Sequence, residues 1–272
     1  MKFISKVLRD KRQNSTTALI PFITAGYPNI DLTIKAIFKL DAKGADIIEL
    51  GIPYSDALAD GPLIQEASSV AIKQGVSMEK VLDILAQVKG KLSSPIVIFT
   101  YYNLVLVRGV NNFITELSKL GVKGIVIPDL PIEETDHLIK ICSMHELELI
   151  SFVAPTSSKA RINNIISKAP GCIYLVSSTG VTGMRQSINT SIAELSKYIF
   201  SKTNKPVMLG FGISSPSQIR NLLKSGCYID GLVVGSAFTS IMSNNNNDIG
   251  EKVINDLGKF CEKMKEATLL ND

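Results

Sequence analysis

The sequence has no concentrated run of basic residues, although its formal net charge is +4 over 272 residues. Its 29 lysines and arginines are spread along the whole chain. Proteins that bind nucleic acids or anionic membrane surfaces usually carry a basic cluster that neutralises phosphates. We therefore expect no nucleic-acid partner.

Long hydrophobic runs are also missing. Hydrophobic residues make up 45% of the chain, but no run approaches the roughly 18 apolar residues that a membrane helix needs. Residues 1–17 lack the continuous apolar segment of a secretory signal. We expect a soluble protein without a membrane partner.

The run Asn244 to Asn247 and the frequent Lys, Ile and Ser hint at an AT-biased genome, so the expected location is the cytoplasm, or the plastid stroma if the gene is organellar.

Cysteine and histidine are scarce. The four cysteines, Cys142, Cys172, Cys227 and Cys261, are far apart and form no CxxC pair. Only His145 lies near one of them in the sequence, three residues after Cys142. A structural zinc site normally needs four clustered ligands, so we expect no metal. The widely separated cysteines also favour a reducing compartment.

Eight short apolar or β-branched segments alternate with longer segments of helical periodicity. They are ALIPFIT from Ala18, DIIELG from Asp46, PIVIFTYY from Pro95, GIVIPD from Gly124, LELISFVA from Leu147, CIYLVS from Cys172, PVMLGFG from Pro206 and IDGLVVGS from Ile229. This alternation predicts an α/β fold of parallel βαβ units, and eight units fit a closed (β/α)8 TIM barrel. An open doubly wound sheet is the alternative. It is disfavoured because the first βα turn, TAGYPN, lacks a GxGxxG pattern and five or six strands would suffice.

Two additions to a plain barrel are predicted. The segment from Pro62 to Lys91 is long enough for two helices separated at QGVS, which enlarges the second βα unit. A short extra N-terminal helix is predicted from Lys2 to Arg12. No linker or shift in composition divides the chain, so we expect residues 1–272 to form a single barrel domain.

A glutamate occupies the end of the second predicted strand. In DIIELG the period of two directs Ile47 and Glu49 into the barrel, and Ile48 and Leu50 toward the helices. Catalytic groups of such barrels lie at the C-terminal ends of strands, so Glu49 is a candidate catalytic residue. The alternative is a buried ion pair, but none of the predicted strands contains a lysine or arginine.

Asp60 is the second candidate carboxylate, at the far end of the loop that follows Glu49. Asp-Gly-Pro is also a common sequence at the start of a helix. Asp60 alone could therefore be either a catalytic residue or part of a helix start. Asp56 is interpreted as a turn residue. His137 and His145 fall in a predicted outer helix, which leaves acid–base work to the carboxylates.

Three glycine-bearing turns follow the last three predicted strands: STGVTG, GFGIS and VGSAF. Barrels often bind phosphate with the loops after strands seven and eight and a helix N-terminus, where free N–H groups favour an anion. Glycine lets the backbone approach the phosphate, and Thr182 and Ser236 add hydroxyl donors. Together the turns predict a phosphate site.

Aromatic residues lie at or near several predicted strand ends: Phe22, Tyr101, Tyr102, Tyr174 and Phe211. Any one of them alone is more often core packing than a ligand contact. As a set around one mouth, they predict a flat apolar pocket beside an anion site and two carboxylates.

The motifs PFITAGYP, IELGIPYSDALADGPLIQEA, IPDLPIEE, YLVSSTGVTG, GFGISSP and VVGSAF resemble the tryptophan synthase alpha chain family, in order over nearly the whole chain. The resemblance implies a lyase that cleaves indole-3-glycerol phosphate to indole and glyceraldehyde 3-phosphate in tryptophan biosynthesis. It implies an αββα heterotetramer with a beta chain that carries pyridoxal phosphate, and no cofactor on this chain. It makes Glu49 and Asp60 the catalytic carboxylates, and it assigns to substrate binding Phe22, Tyr101, Tyr174, Thr182, Gly183, Phe211, Gly212, Gly235 and Ser236.

Two positions depart from the family pattern. Ala57 stands where the family usually has a proline, and Ser178 stands where many members have an arginine. Two alternatives stay open. One is another phosphate-binding TIM-barrel enzyme acting on a sugar phosphate, which would normally have a strand-end histidine or lysine. The other is a non-catalytic activating subunit, which would tolerate loss of Glu49 or Asp60.

Overall fold

Eight parallel strands form a closed barrel in the computed structural model, which describes residues 3–176, 185–210, 212–243 and 250–269. Each strand pairs with the next along the chain, and β8 pairs with β1. The strands are β1 Ala18–Thr24, β2 Ile48–Gly51, β3 Ile96–Phe99, β4 Gly124–Val126, β5 Glu148–Val153, β6 Ile173–Val176, β7 Val207–Gly210 and β8 Gly231–Val234. The predicted (β/α)8 barrel is confirmed.

Helices surround the barrel. They are α1 Ile4–Gln13, α2 Ile30–Ala42, α3 Pro62–Lys73, α4 Met78–Val88, α5 Tyr102–Arg108, α6 Val110–Lys119, α7 Thr135–Met144, α8 Lys159–Lys168, α9 Arg185–Lys202, α10 Pro216–Lys224, α11 Ser236–Ser243 and α12 Gly250–Leu269, with a 3₁₀ turn at Ile132–Glu134. The extra N-terminal helix and the two helices of the second unit are confirmed. None of the helices in the described ranges is long and apolar enough to cross a membrane. The single-domain organisation stays a prediction.

The strands are buried on both faces, as parallel strands under a helix layer must be. Their alternate side chains divide between two packed clusters. The outer cluster, against the helices, includes Leu19, Ile23, Ile48, Leu50, Ile96, Ile98, Leu149 and Val153. The inner cluster, inside the barrel, includes Ala18, Ile20, Phe22, Ile47, Val97, Phe99, Ile150 and Met208.

Helix α1 closes the N-terminal end of the barrel. Its Ile4 and Leu8 are completely buried among the inner side chains. Gly124 and Gly231 make room for them, since a Cβ on Gly231 would lie 2.7 Å from Leu8 and one on Gly124 would lie 2.9 Å from Ile4. The opposite end, where the strands terminate, is therefore the end available for a ligand.

Buried carboxylates at the closed end are fully paired. Glu148 accepts hydrogen bonds from the backbone N–H groups of Ser5 (3.0 Å) and Cys172 (2.7 Å). The carboxylate of Asp230 accepts hydrogen bonds from Nε and Nη2 of Arg12, each at 2.6 Å. These carboxylates tie α1 to the barrel, and their burial is compensated by hydrogen bonds.

Candidate active site

Glu49 lies inside the barrel, near the C-terminal end of β2. It is placed there by the strand register, in which Glu49 pairs with Phe22 of β1 and Val97 of β3. Its neighbour Ile48 packs in the outer cluster and Ile47 in the inner one. The predicted alternation is confirmed, and only 1% of the Glu49 surface is exposed.

The carboxyl group of Glu49 differs from those at the closed end. Neither of its oxygens has a hydrogen-bond partner among the described residues. Burial raises the pKa of Glu49 to about 8, and the nearby charge of Asp60 adds to the shift. Glu49 is therefore mostly a neutral carboxylic acid at pH 7, with a proton available for transfer.

Asp60 faces the same site from the loop between β2 and α3. Burial raises the pKa of Asp60 to about 6, against a hydrogen bond from the Tyr101 hydroxyl that lowers it. That hydroxyl also accepts a hydrogen bond from the backbone N–H of Ala59 at 3.1 Å. Tyr101 thus holds both the carboxylate and the adjoining backbone, and Asp60 is mostly ionised at pH 7.

Asp60 does not cap the N-terminus of α3. The N-cap of α3 is Gly61, no side chain caps that end, and Pro62 occupies the first turn. Gln65 of α3 supports the loop by donating to the backbone oxygens of Ala57 (3.2 Å) and Asp60 (2.9 Å). The Asp60 side chain therefore faces the site without serving as a helix cap.

Ala57 and Asp56 take different roles in the same loop. Ala57 is buried and packs in the inner cluster. Asp56 is exposed, accepts a hydrogen bond from Ser55 Oγ at 2.7 Å, and its backbone oxygen accepts from Leu58 N–H at 2.9 Å. These contacts agree with the interpretation of Asp56 as a turn residue.

Aromatic side chains form the wall beside the two carboxylates. The rings of Phe22 and Phe99 meet edge to face at 5.7 Å, and Phe99 meets Tyr101 in the same way at 6.0 Å. Phe152 stacks on Tyr174 at 4.6 Å. Burial and the charges of the two carboxylates raise the pKa of Tyr174 well above its usual value, which keeps the phenol neutral.

The sequence interpretation missed Phe99 and Phe152. Both occupy inward positions late in their strands and pack with the inner cluster. Strand parity was the signal that would have found them, since it had already placed Glu49.

The turns after β7 and β8 lie side by side at the same end, because these two strands are paired. Gly212 has φ +79°, a conformation that favours glycine. Gly235 directly precedes α11, which begins at Ser236, so free backbone N–H groups point out of this helix end. A Cβ on Gly235 would lie 3.4 Å from Phe22, which places this turn next to the aromatic wall.

Three of the predicted substrate-binding residues, Thr182, Gly183 and Phe211, lie outside the described part of the chain. Ser178, one of the two positions that depart from the family pattern, also lies outside it. His137 is exposed on α7, as predicted, whereas His145 lies just beyond the end of that helix. In the described ranges no group of three or more His, Cys, Asp or Glu side chains is arranged to hold a metal ion.

Comparison with known proteins decides the family. The family model described as tryptophan synthase alpha chain matches residues 8–269. The chain belongs to the tryptophan synthase alpha chain family. A tryptophan synthase alpha chain from Gracilaria tenuistipitata var. liui is 57% identical over 265 residues, covering 97% of this chain and 96% of the relative. One from Trichodesmium erythraeum is 46% identical over 265 residues, covering 97% and 98%.

Solved structures of tryptophan synthase share this barrel. One from Mycobacterium tuberculosis superposes with a TM-score of 0.88 at 29% identity, covering all of both chains. A tryptophan synthase complex from Pyrococcus furiosus gives a TM-score of 0.81 at 32% identity, covering 92% of this chain and 98% of the other. Tryptophan synthase alpha chains are therefore similar to this protein in sequence and in fold over nearly its full length.

Proposed function

We propose that this chain cleaves indole-3-glycerol phosphate to indole and glyceraldehyde 3-phosphate, with Glu49 and Asp60 as its catalytic residues. The observation that carries the proposal is the Glu49 carboxyl group, which is buried at the barrel mouth without a partner among the described residues and has a pKa of about 8. A buried acid with no structural hydrogen bond fits a proton donor.

In the first step the neutral Glu49 gives its proton to C3 of the indole ring. The ring is a poor leaving group until this carbon is protonated, and protonation moves positive charge toward the ring nitrogen. The ionised Asp60 accepts a hydrogen bond from the ring N–H and stabilises that charge. The two residues can take these different roles because, near pH 7, Glu49 is protonated and Asp60 is ionised.

In the second step the ionised Glu49 takes the proton of the side-chain hydroxyl on the carbon attached to the ring. The O–H electrons form the carbonyl of glyceraldehyde 3-phosphate, the C–C bond breaks, and its electrons restore the aromatic indole. Glu49 recovers its proton, so the cycle closes with one residue as both acid and base.

Substrate orientation comes from the walls of the site. Phe22 and Tyr174 are buried aromatic side chains that fit against the flat indole ring. The backbone N–H groups around Gly212, Gly235 and Ser236 fit the phosphate at the other end. Thr182, Gly183 and Phe211 are assigned to substrate binding by the family resemblance.

The proposal extends to a partner, a tryptophan synthase beta chain in an αββα complex. One solved relative, from Pyrococcus furiosus, is a tryptophan synthase complex. The catalytic loop also exposes apolar surface, with Leu58 91% exposed, while Val107 on the nearby α5 is 80% exposed. Apolar side chains this exposed fit an interface. Gel filtration of the chain with a beta chain tests this assignment, and two separate peaks at micromolar concentrations would rule it out.

The proposed location is the cytoplasm, or the plastid stroma for an organelle-encoded gene. Relatives from Gracilaria tenuistipitata and Pyropia yezoensis, both red algae, and from cyanobacteria support this pair of compartments. Fractionation of the source cells followed by immunoblotting tests the assignment. Recovery in a secreted or membrane fraction would contradict it.

The catalytic assignment is tested by indole release from indole-3-glycerol phosphate, without and with a beta chain. Glu49→Gln keeps the size of the side chain but cannot transfer the proton, so we expect a loss of at least about 10²–10⁴-fold in kcat. Asp60→Asn is expected to lose less, because its amide oxygen can still accept from the ring N–H. Circular dichroism of each variant checks that the barrel is intact.

Near-normal turnover of a folded Glu49→Gln variant would refute the acid–base role. Absence of indole release by the unaltered chain in both conditions would favour the non-catalytic alternative. Release that depends on Glu49 in the isolated chain separates the proposed lyase from both alternatives.

A further inference from the structure

A second cavity lies on the outer side of the barrel, between the strands β4 and β5 and the helices α7 and α8. Its volume is about 160 Å³. It forms where β4 and β5 separate: their pairing ends at Val126 and Ile150, whereas β5 continues to pair with β6 as far as Val153. The aliphatic side chains of Ile127, Ile132, Leu149 and Ile165 line it.

One residue of this cavity breaks the pattern of the barrel. Among the eight strands that the structure describes, Ser151 is the only residue to place a polar side chain on the outer face, between Leu149 and Val153. Its Oγ is buried and has no hydrogen-bond partner among the described residues. A buried hydroxyl without a partner destabilises a fold, typically by about 1–3 kcal/mol, so an apolar residue would suit this position better if packing were its only role.

The wall contains two further hydroxyl residues, Thr135 and Ser157. Thr135 Oγ1 donates to the backbone oxygen of Ile132 at 2.8 Å. Ser151 Oγ is therefore a buried polar group without a partner among mainly aliphatic side chains, and it is able both to donate and to accept. At the rim, Arg161 of α8 pairs with Glu133 of the 3₁₀ turn at 2.9 Å, so the charges there compensate each other.

We propose that this cavity is a second binding site, for a small uncharged aromatic molecule that carries one hydroxyl or N–H group. A cavity of about 150 Å³ accepts a single benzene ring, so a phenol matches the available volume. The aliphatic walls accommodate the ring, and Ser151 Oγ supplies the one hydrogen bond that orients it. A charged ligand is disfavoured, because no unpaired charge faces it within the described walls.

The cavity shares a wall with the active site. Phe152 lines the cavity and stacks on Tyr174 inside the barrel at 4.6 Å. A molecule in the cavity would therefore lie against a residue whose ring belongs to the aromatic wall that we assign to the substrate. Any displacement of Phe152 is passed to Tyr174 through ring contact, and the coupling between the two sites is reciprocal.

The experiment uses phenol as the probe and the full chain as the protein. Phenol is titrated against the ¹⁵N-labelled chain, and crystals soaked in phenol are used to locate it. We expect saturable amide shifts at Thr135, Ser151 and Ile165, with the ring in the cavity and its hydroxyl bonded to Ser151 Oγ. The readout is binding, so the result is independent of whether the chain cleaves indole-3-glycerol phosphate.

Two substitutions of Ser151 make the test specific. Ser151→Ala removes the hydrogen bond and should weaken phenol binding roughly tenfold. Ser151→Val also fills space and should abolish binding while leaving Tm unchanged or higher. Ser167→Ala, which changes an exposed hydroxyl on α8, is the matched control and should bind as the unaltered chain does.

The proposal is overturned if phenol occupies only the barrel mouth or if the cavity holds only ordered water. Equal affinity of the Ser151→Ala variant and the unaltered chain would also overturn it. If Ser151→Val does not fold, the smaller Ser151→Ala substitution still decides between these outcomes.

Discussion

Glu49 shows how the same residue type acquires a chemical role from its surroundings. Glu148 is equally inside the protein but accepts two backbone N–H groups, whereas Glu49 has no partner within the described part of the chain. The unpaired carboxyl group stays protonated because burial disfavours its charged form. Once the buried Glu49 ionises, the folded state loses stability. The protonation state of Glu49 can therefore be measured through the free energy of unfolding.

We predict that Glu49→Gln stabilises the fold at high pH. The pKa of Glu49 rises from 4.5 to about 8 on folding, so the folded state binds the proton more tightly. Stability is therefore fully present below about pH 4.5 and is lost as pH rises through about 8. Glutamine does not ionise, so above pH 8 the variant should exceed the unaltered chain in free energy of unfolding by up to about 5 kcal/mol.

Urea unfolding at pH 6 and pH 9 measures this difference. Glu148→Gln is the matched control, because an amide cannot accept both backbone hydrogen bonds there and should destabilise the fold by about 1–3 kcal/mol at either pH. A Glu49→Gln variant that shows no gain in stability between the two pH values would contradict a neutral Glu49.

The short helix α11 and the turn before it carry the proposed phosphate contacts. We predict that Gly235→Ala raises the KM for indole-3-glycerol phosphate by about tenfold or more, with a smaller effect on kcat. The new methyl group would lie 3.3 Å from Ile64 and 3.4 Å from Phe22, close but tolerable for the fold. It would also crowd the backbone that approaches the phosphate.

Steady-state kinetics and inhibition by glycerol 3-phosphate measure the change. Ser240→Ala, on the exposed side of the same helix, should leave both values unaltered. Unchanged inhibition in a folded Gly235→Ala variant would place the phosphate elsewhere.

Over the whole molecule, strand order and side-chain parity were predictable from sequence. A period of two inside apolar segments determined which face each side chain takes, and it placed Glu49 in the barrel. Strand ends were less predictable: PIVIFTYY was assigned from Pro95, but β3 covers only Ile96–Phe99. Tyr101 lies beyond the strand and reaches Asp60 across the loop, a long-range contact that no local pattern encodes.

The outer cavity illustrates the same limit. Ser151 is an unremarkable residue in LELISFVA, and only the divergence of β4 from β5 leaves its hydroxyl without a partner. Likewise, Asp60 resembled a helix cap until Gly61 was seen to occupy that position. Composition and periodicity do not specify tertiary geometry, and it is tertiary geometry that decides the roles of Ser151 and Asp60.

The protonation states of the two carboxylates give the pH dependence of the whole enzyme. Cleavage requires Asp60 ionised and Glu49 protonated, so the rate should fall below about pH 6 and again above about pH 8. Since the two groups interact, these limits belong to the pair. Tyr101→Phe removes the hydrogen bond that lowers the pKa of Asp60, so its acidic limit should move to higher pH.

The most direct test is therefore kcat/KM for indole release measured from pH 5 to pH 10, since this ratio reports the groups of the free enzyme. We predict a bell-shaped profile with a maximum near pH 7, and a basic limit near pH 8 set by loss of the Glu49 proton. A rate that stays constant from pH 7 to pH 10 would contradict a protonated Glu49 as the catalytic acid.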